Sequence, residues 1–502
     1  MNHNNEDGLA MTPGKNSVLL ALTATLAAQG AFAASTPSST EPQEPVMVHL
    51  FEWRWDDVAR ECETHLGPSG IDAVQISPAN EHIALDDVEG AWWARYQPVS
   101  YQLESRSGDR EAFTRMIKRC ADAGVDIIAD AVINHMAGIG EGVGIAGTPY
   151  SPFEYGELYQ RDDFHHCGRH DNDQIQNYQD RYEVQHCHLL GLADLATDRA
   201  TVRDRIADYL QSMLDLGVAG LRIDAAKHMP AQDIAAILER LEGQPAVFQE
   251  VIDPGNEPIR KQEYAPTADV TEFGYSHELA QAISQGNLAR LKTLGQGESW
   301  LSDDKAIVFV DNHDKQRGHV GGGMLMHRDT LYPLANTFML AWPYGTPKLM
   351  SSYTFDNGDQ GPPTQDGDSN WKIRRVHGDT GMGCLARDNL SARGWVCEHR
   401  WDEMVAMLGF RRAVGDAPVV NWQQDGKTRI AFSRGDRGFL AMNRDSDTWK
   451  AELDTGLSGG QYCNLLDDCE TQITVDDDGR AKLTIAPDSA LALQVDRQAP
   501  SS

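Results

Sequence analysis

The chain has 502 residues, with 75 Asp and Glu against 44 Lys and Arg, a formal net charge of −31 and a pI of about 4.8. So acidic a chain is repelled by nucleic acid and by anionic membrane surfaces, which excludes both as partners. With 41% hydrophobic residues and 11 Trp it is not a disordered acidic tail, and its length suits about two or three domains, or one large barrel with attachments.

The N-terminus reads as an export signal. Lys15 supplies a positive region, residues 18–28 form a short apolar run, and Ala31-Phe32-Ala33 is an A-x-A cleavage pattern. Met11 is an alternative start. The apolar run is well short of the ~20 residues that span a bilayer. No later segment is long and apolar enough, so no membrane association is expected once residues 1–33 are removed. Cleavage after Ala33 leaves 469 residues (502 − 33). Residues 34–45 are rich in Ser, Thr, Pro and Glu and read as a flexible leader. Eight cysteines agree with export, since an even count in a secreted chain suggests disulfides. Cys384–Cys397 and Cys463–Cys469 are local pairs, and Cys62–Cys120 with Cys167–Cys187 would complete the set. Sequence by itself leaves this connectivity open. The His-rich surroundings of Cys167 and Cys187 suggest zinc, but the ligand spacings are irregular and an oxidising compartment favours the disulfide.

Further along, apolar strand-like runs occur at 46–53, 71–77, 125–134, 218–225, 246–252, 269–273, 306–312 and 347–352. Amphipathic helical stretches lie between them, for example 109–123, 199–216, 230–241 and 328–342. Eight strands alternating with helices predict a parallel (β/α)8 barrel of the α/β class. One βα unit takes about 30 residues, whereas Asp130 and Asp224 are 94 apart. The surplus, 135–195, is read as an irregular domain inserted after the third strand. The barrel then occupies 46–134 and 196–415, closing with a helix over 399–414. From 416 to 497 short strands follow one another at 428–433, 438–443, 461–466, 472–475, 481–485 and 491–495. Turns such as Asp425-Gly426 and Asp478-Gly479 separate them. That pattern predicts an antiparallel Greek-key sandwich. Its Trp422 and Trp449 give no paired-Trp signal of a starch-binding module, so a structural role is expected.

Barrel active sites lie at the C-terminal ends of the strands. The third strand ends in Asp130-Ala-Val-Ile-Asn134-His135. The fourth ends Arg222-Ile-Asp224-Ala-Ala-Lys227-His228, the fifth Gln249-Glu250, and the seventh Asp311-Asn312-His313-Asp314. Asp224, Glu250 and Asp314 thus share one rim. Grouped carboxyls repel one another, so at least one pKa rises and a carboxylic acid is available near neutral pH. Glycoside hydrolysis needs such a pair: one carboxylate attacks the anomeric carbon or activates water, and the other protonates the leaving oxygen.

The ordered stretches DAVINH (130–135), GLRIDAAKH (220–228), FQEVI (248–252) and FVDNHD (309–314) resemble the α-amylase family. WWARYQPVSY (92–101), GHVGGG (318–323), KLMSSY (348–353) and VCEHRW (396–401) are similar to its animal-type, chloride-dependent branch, which has bacterial members. The resemblance covers about residues 45–495. It implies a secreted, endo-acting, retaining hydrolase of α-1,4-glucosidic bonds in starch, glycogen and maltooligosaccharides, with a monomer expected. A related transglycosylase or maltogenic exo-enzyme is the alternative. A non-catalytic glucan-binding barrel would have lost the carboxylates.

Residue by residue, the resemblance implies that Asp224 is the nucleophile, Glu250 the general acid and then base, and Asp314 a transition-state stabiliser. Arg222 points to the same side of its strand as Asp224 and would keep it ionised. Trp92, Trp93, Tyr96 and Gln97 correspond to a sugar-stacking platform, faced by Tyr178. His135, Lys227, His228 and His313 would contact substrate, and His319 lies in the Gly-rich 318–323 loop, read as a mobile flap. Calcium would take the Asn134 and Asp194 side chains with the Gln185 and His228 carbonyls. Chloride would sit among Arg222, Asn312 and Lys348, where Lys replaces the Arg of many family members and offers a point charge instead of a fork. Residues 366–370 (DGDSN) have an EF-hand-like opening but Trp371 where Gly is needed, and read as a plain loop. Removing residues 1–33 (Glu6, Asp7, Lys15) leaves a net charge of −30 (−31 + 1), most of it expected on solvated surface.

Overall fold

The computed structural model describes residues 45–85, 90–138, 140–318, 325–365, 372–379 and 381–497. The export signal, nearly all of the leader, the Gly-rich 319–323 stretch with His319, and the 366–370 loop lie outside the described residues.

Eight parallel strands close into a barrel: β1 (Met47–Leu50), β2 (Ala73–Ile76), β3 (Asp126–Ala131), β4 (Gly220–Ile223), β5 (Ala246–Gln249), β6 (Asp269–Thr271), β7 (Ala306–Val308) and β8 (Thr346–Ser351). β1 pairs with both β2 and β8, which completes the ring. The strands are largely buried on both faces because helices cover the outside and side chains fill the inside. Among the described residues seven helices attend them: α1 (Trp55–Glu61), α2 (Arg110–Asp122), α3 (Ala200–Leu214), α4 (Ala231–Leu238), α5 (Phe273–Ser284), α6 (Tyr332–Ala341) and α7 (Asp402–Val414). α2 shows why such stretches become helices. Asp109 caps it by accepting from the Ala112 N–H at 2.8 Å, and Ala112, Phe113, Met116, Ile117 and Cys120 form its buried stripe. Between β5 and β6 the connection carries a 3₁₀ turn, Lys261–Glu263, in place of a regular helix.

The lumen changes character along its axis. Met47, Ala73, Ile128, Phe248 and Ile307 form an apolar cluster of their own from five strands. Two residues further along four of these strands, on the same face, stand His49, Gln75, Asp130 and Glu250, whereas the step from Ile307 in β7 reaches Phe309. In β4 the same step runs from Gly220 through Arg222 to Asp224. A Cβ at Gly220 would lie 2.5 Å from the Ala246 carbonyl and 2.7 Å from Ile128 Cδ1, so glycine leaves room for the apolar layer. The period of two thus stacks a largely polar layer, charged at Asp130, Arg222 and Glu250, directly on an apolar one.

After β3 the chain leaves the barrel pattern until α3. His135–Gly138 pairs with Leu192–Asp194, Gly142–Val143 with Pro149–Tyr150, and a short helix spans Arg181–His186. Beyond α7 two four-stranded antiparallel sheets follow. One orders β9 (Val419–Asp425), β10 (Arg429–Arg434), β11 (Gly438–Asn443) and β16 (Ser489–Gln494). The other orders β12 (Trp449–Asp454), β15 (Arg480–Ile485), β14 (Gln472–Val475) and β13 (Gly460–Cys463). β9 and β12 were not read from sequence. Trp449 is buried in the sandwich core, whereas Trp422 stacks on Phe432 and meets Trp342 of the barrel, so both are structural.

All four expected disulfides are formed: Cys62–Cys120, Cys167–Cys187, Cys384–Cys397 and Cys463–Cys469. The first staples the end of α1 to α2. No described helix is long and apolar enough to cross a membrane.

Candidate active site

Asp224 directly follows β4, Glu250 directly follows β5, and Asp314 sits in the single-turn helix His313–Gln316 beyond β7. Asn312 caps that turn, its Oδ1 accepting from the Lys315 N–H at 2.8 Å. All three carboxylates line one cleft of about 750 Å³, together with Trp92, Trp93, Tyr96, Gln97, His135, Tyr178, Lys227, His228 and His313. Every described residue expected to be catalytic or to touch substrate is therefore on one surface.

Arg222 organises the floor. Its Nη1 donates to Asp130 Oδ1 at 2.5 Å and to Asp224 Oδ1 at 2.9 Å, and Nη2 lies 2.6 Å from Glu250 Oε1. The Glu250 contact is close but not aligned as a hydrogen bond. Glu250 Oε2 accepts from the Ala225 N–H at 3.0 Å. Ala225 has φ +49°, a left-handed backbone that costs about 1–2 kcal/mol for a non-glycine residue. That turn aims the N–H after Asp224 at the neighbouring carboxylate.

Asp130 is the fourth acid, and sequence reasoning did not place it in the site. It accepts from Tyr96 Oη at 3.0 Å as well as from Arg222. Acids therefore outnumber the guanidinium. Burial pushes Asp224 well above the ordinary carboxylate range; Arg222 opposes this, while Glu250 and Asp130 add to it. Burial also raises Asp130. Asp314 is pushed up to about 7 by burial and then by the charge of Glu250. The cluster holds protons at neutral pH that isolated carboxyls would have released.

The histidines are neutral. Burial lowers His135 and His228 to about 4 and His313 well below its usual value. His135 Nε2 donates to the Tyr96 carbonyl at 2.9 Å and its Nδ1 lies 3.2 Å from Asn134 Nδ2, so both ring nitrogens are engaged within the protein. His313 has capacity to spare: its buried Nδ1 has no partner among the described residues. Its ring is held between Tyr96 and Phe51, at 5.2 and 4.9 Å. Trp92 Nε1 donates to the Gly358 carbonyl at 2.7 Å, tying the platform to the segment after β8, and Gln97 Oε1 accepts from Gly138 N at 2.9 Å, tying it to the inserted segment. Lys227 donates to the Ile252 carbonyl at 2.7 Å and pairs with Glu257, its ammonium 5.3 Å from the Tyr178 ring centroid. Glu257 also lines the cleft and carried no sequence signal.

Two further groups of residues bear on ions. Asn134 and Asp194 lie side by side where His135 pairs with Asp194, and Asn134 Oδ1 is buried without a partner among the described residues. His228 Nδ1 donates to the carbonyl of Val184, the residue before Gln185, at 3.0 Å. The Gln185 side chain is spent on Tyr264 Oη and the Met229 carbonyl. Lys348 lies below the cleft, in the lumen. Its Nζ donates to Gln75 Oε1 at 2.7 Å, and burial followed by the Arg222 charge lowers it to about 7. Among the described residues no group of three or more His, Cys, Asp or Glu is placed to hold a metal ion, and Cys167 and Cys187 are joined as a disulfide.

Residues 65–251 match the alpha amylase catalytic domain and residues 419–496 the alpha amylase C-terminal all-beta domain. The chain is 43% identical over 491 residues to an alpha-amylase of Thermomonospora curvata, covering 93% of this chain and 76% of that protein. It is 40% identical over 495 residues to rat (Rattus norvegicus) pancreatic alpha-amylase, covering 90% and 94%. The crystal structure of alpha-amylase I from Eisenia fetida superposes with a TM-score of 0.84 at 36% identity, covering 91% of this chain and 99% of that one. A mutant of the same earthworm enzyme has been solved with maltohexaose, TM-score 0.82, covering 91% and 98%. With this barrel, this carboxylate cleft and these relatives, the chain belongs to the alpha-amylase family of glycoside hydrolases.

Proposed function

We propose that the protein cleaves internal α-1,4-glucosidic bonds of starch, glycogen and maltooligosaccharides with retention of configuration. The observation that carries this is the convergence of Asp224, Glu250 and Asp314 on one cleft, with Arg222 touching two of them. Asp224 attacks the anomeric carbon and forms a glycosyl ester as the C1–O bond breaks. Glu250 delivers its proton to the departing oxygen. The resulting Glu250 carboxylate then takes a proton from water, which attacks C1 and releases Asp224. Arg222 favours the ionised form of Asp224 against the burial that opposes it. Asp314 and His313 bind sugar hydroxyls, and the Trp92–Trp93–Tyr96 surface stacks on pyranose rings.

Two ions fit the residues present. Asn134 Oδ1, the Asp194 carboxylate and the Gln185 and His228 carbonyls are a hard-oxygen set suited to calcium, and the orphaned Asn134 oxygen supports that use. Calcium there would brace the inserted segment against the barrel. Arg222, Lys348 and the Asn312 amide suit chloride, whose charge would offset the repulsion between the two buried cations. The N-terminal signal supports export, and the enzyme acts as a monomer.

The Glu250→Gln variant assayed on soluble starch tests the reading. A loss of about 10²–10⁴-fold in kcat is expected for removal of a general acid. Activity close to wild type would refute the mechanism.

A further inference from the structure

Arg317 follows the single-turn helix that carries His313 and Asp314, yet it does not line the cleft. Its side chain is buried, with the residue 8% exposed. Nη1 donates to the His313 carbonyl at 2.8 Å, while Nε and Nη2 make no aligned hydrogen bond among the described residues. Nor does a carboxylate pair with it there. Aromatic rings surround it instead: the guanidinium carbon is 4.5 Å from the Phe355 centroid, 4.9 Å from Phe51, 5.1 Å from Tyr353 and 5.3 Å from Trp92. All four fall within the ~6 Å reach of a cation–π contact.

These rings come from separate places in the chain. Phe51 directly follows β1, Trp92 belongs to the sugar platform, and Tyr353 and Phe355 follow β8. Phe51 stacks on His313 at 4.9 Å, and Trp92 meets His313 edge-on at 5.5 Å. One planar cation therefore touches the platform directly, and the His313 turn through its carbonyl and through Phe51. A buried charge without an acid partner is costly. A flat guanidinium makes use of that position, because it presents two faces and an edge to all four rings at once, where their direct contacts run only pairwise, Phe51 with Trp92 and Tyr353, and Tyr353 with Phe355.

We propose that Arg317 is a positioning residue: its ring-caged guanidinium fixes the Trp92 platform relative to the His313–Asp314 turn and so sets the pose of the sugar in the cleaved subsite. The inference rests on the reading of this cleft as a glucan hydrolase site. A shift of about 1 Å in such a pose costs about 10²-fold in rate. Because the ring approaches the transition-state shape only after binding, the loss falls on kcat more than on KM.

The test uses Arg317→Met, which keeps length without charge, Arg317→Lys, which keeps charge without the plane, and Phe355→Leu, which opens one wall of the cage. kcat and KM are measured separately on a maltooligosaccharide of fixed length, with the melting temperature of each variant. Arg317→Met should lose about 10²-fold in kcat with little change in KM. Arg317→Lys should recover part of it, and Phe355→Leu should lower kcat by about two- to fivefold in a folded protein. If Arg317→Met does not fold, the other two decide. Unchanged kcat in the folded variants, or equal losses in Met and Lys that follow the melting temperature alone, would overturn the proposal. Inactivity of the wild type on starch would instead overturn the reading on which it rests.

Discussion

Glu61 and Asp224 are both buried carboxylates in contact with an arginine, and their surroundings drive them in opposite directions. Glu61, at the end of α1, is a single acid among a surplus of donors. Arg400 Nε reaches it at 2.6 Å and Arg400 Nη2 also pairs with it, while His377 and His399 donate through Nε2 at 2.7 and 2.8 Å. Burial works to raise it, but these hydrogen bonds outweigh burial and hold it well below the usual carboxylate range. At the barrel rim the ratio is inverted. Asp130, Asp224 and Glu250 share one Arg222, and Asp224 is pushed up. Excess donors make a pin that ties α1 to the segments after β8. Excess acids make a site that holds and releases protons. The count of partners around a buried acid, more than its burial, separates the two uses.

The largest contrast comes from removing each charge in turn. Asp224→Asn should abolish starch hydrolysis, by about 10³-fold or more, with no fall in melting temperature. Glu61→Gln should do the reverse. It leaves Arg400 without its counter-charge, at a cost of about 3–5 kcal/mol, and kcat at 25 °C stays near wild type. Because the folded pKa of Glu61 lies below its ordinary 4.5, its contribution is complete above that pH and is lost as pH falls below it. The variant should therefore show a flatter stability–pH curve in acid. Thermal unfolding and initial rates on the same samples check both. A melting-temperature loss in Asp224→Asn matching that of Glu61→Gln would erase the distinction.

A smaller effect is expected at Asp314. Its pKa rises from 3.8 to about 7, so the folded state holds the proton and ionisation is opposed by the fold. Wild-type stability from this group falls as pH rises from about 4 to 7. Asp314→Asn should therefore stabilise the protein by about 1–2 kcal/mol at pH 8 and by little at pH 4, while losing activity. Denaturant unfolding at the two pH values measures it; equal stabilities at pH 8 would contradict it.

How much of this was legible beforehand depended on chain distance. The three cleft carboxylates directly follow, or lie a few residues beyond, apolar runs whose β identity is plain, so their rim position could be read. Asp130 stood in view but not in place. β3 is buried on both faces beyond its first residue, and such a run does not reveal which face looks inward. Gln75 was hidden for the same reason. The Glu61 pin joins residues 316 to 339 apart, and the Arg317 cage draws rings from 51, 92, 353 and 355, so no local pattern announces either. β9 was missed because its NWQQD end is polar and largely exposed, and β12 because KAELD has helix-forming composition.

The smallest predicted effect concerns Lys348. Burial and Arg222 lower it to about 7, so its charge, and with it chloride affinity, should fade as pH rises through 7. Chloride titrations of activity should weaken by up to about tenfold per pH unit above 7 in wild type and stay flatter in Lys348→Arg. No response to chloride in either protein would remove the anion from the account.

The central claim is that Asp224 bonds to the sugar while Glu250 moves the protons. Glu250→Gln treated with an activated maltosyl fluoride tests it, because fluoride departs without an acid and the Gln cannot activate water for the second step. The account predicts a maltosyl adduct on the peptide that contains Asp224, seen by mass spectrometry. Fluoride release without an adduct, or an adduct on another residue, would contradict it.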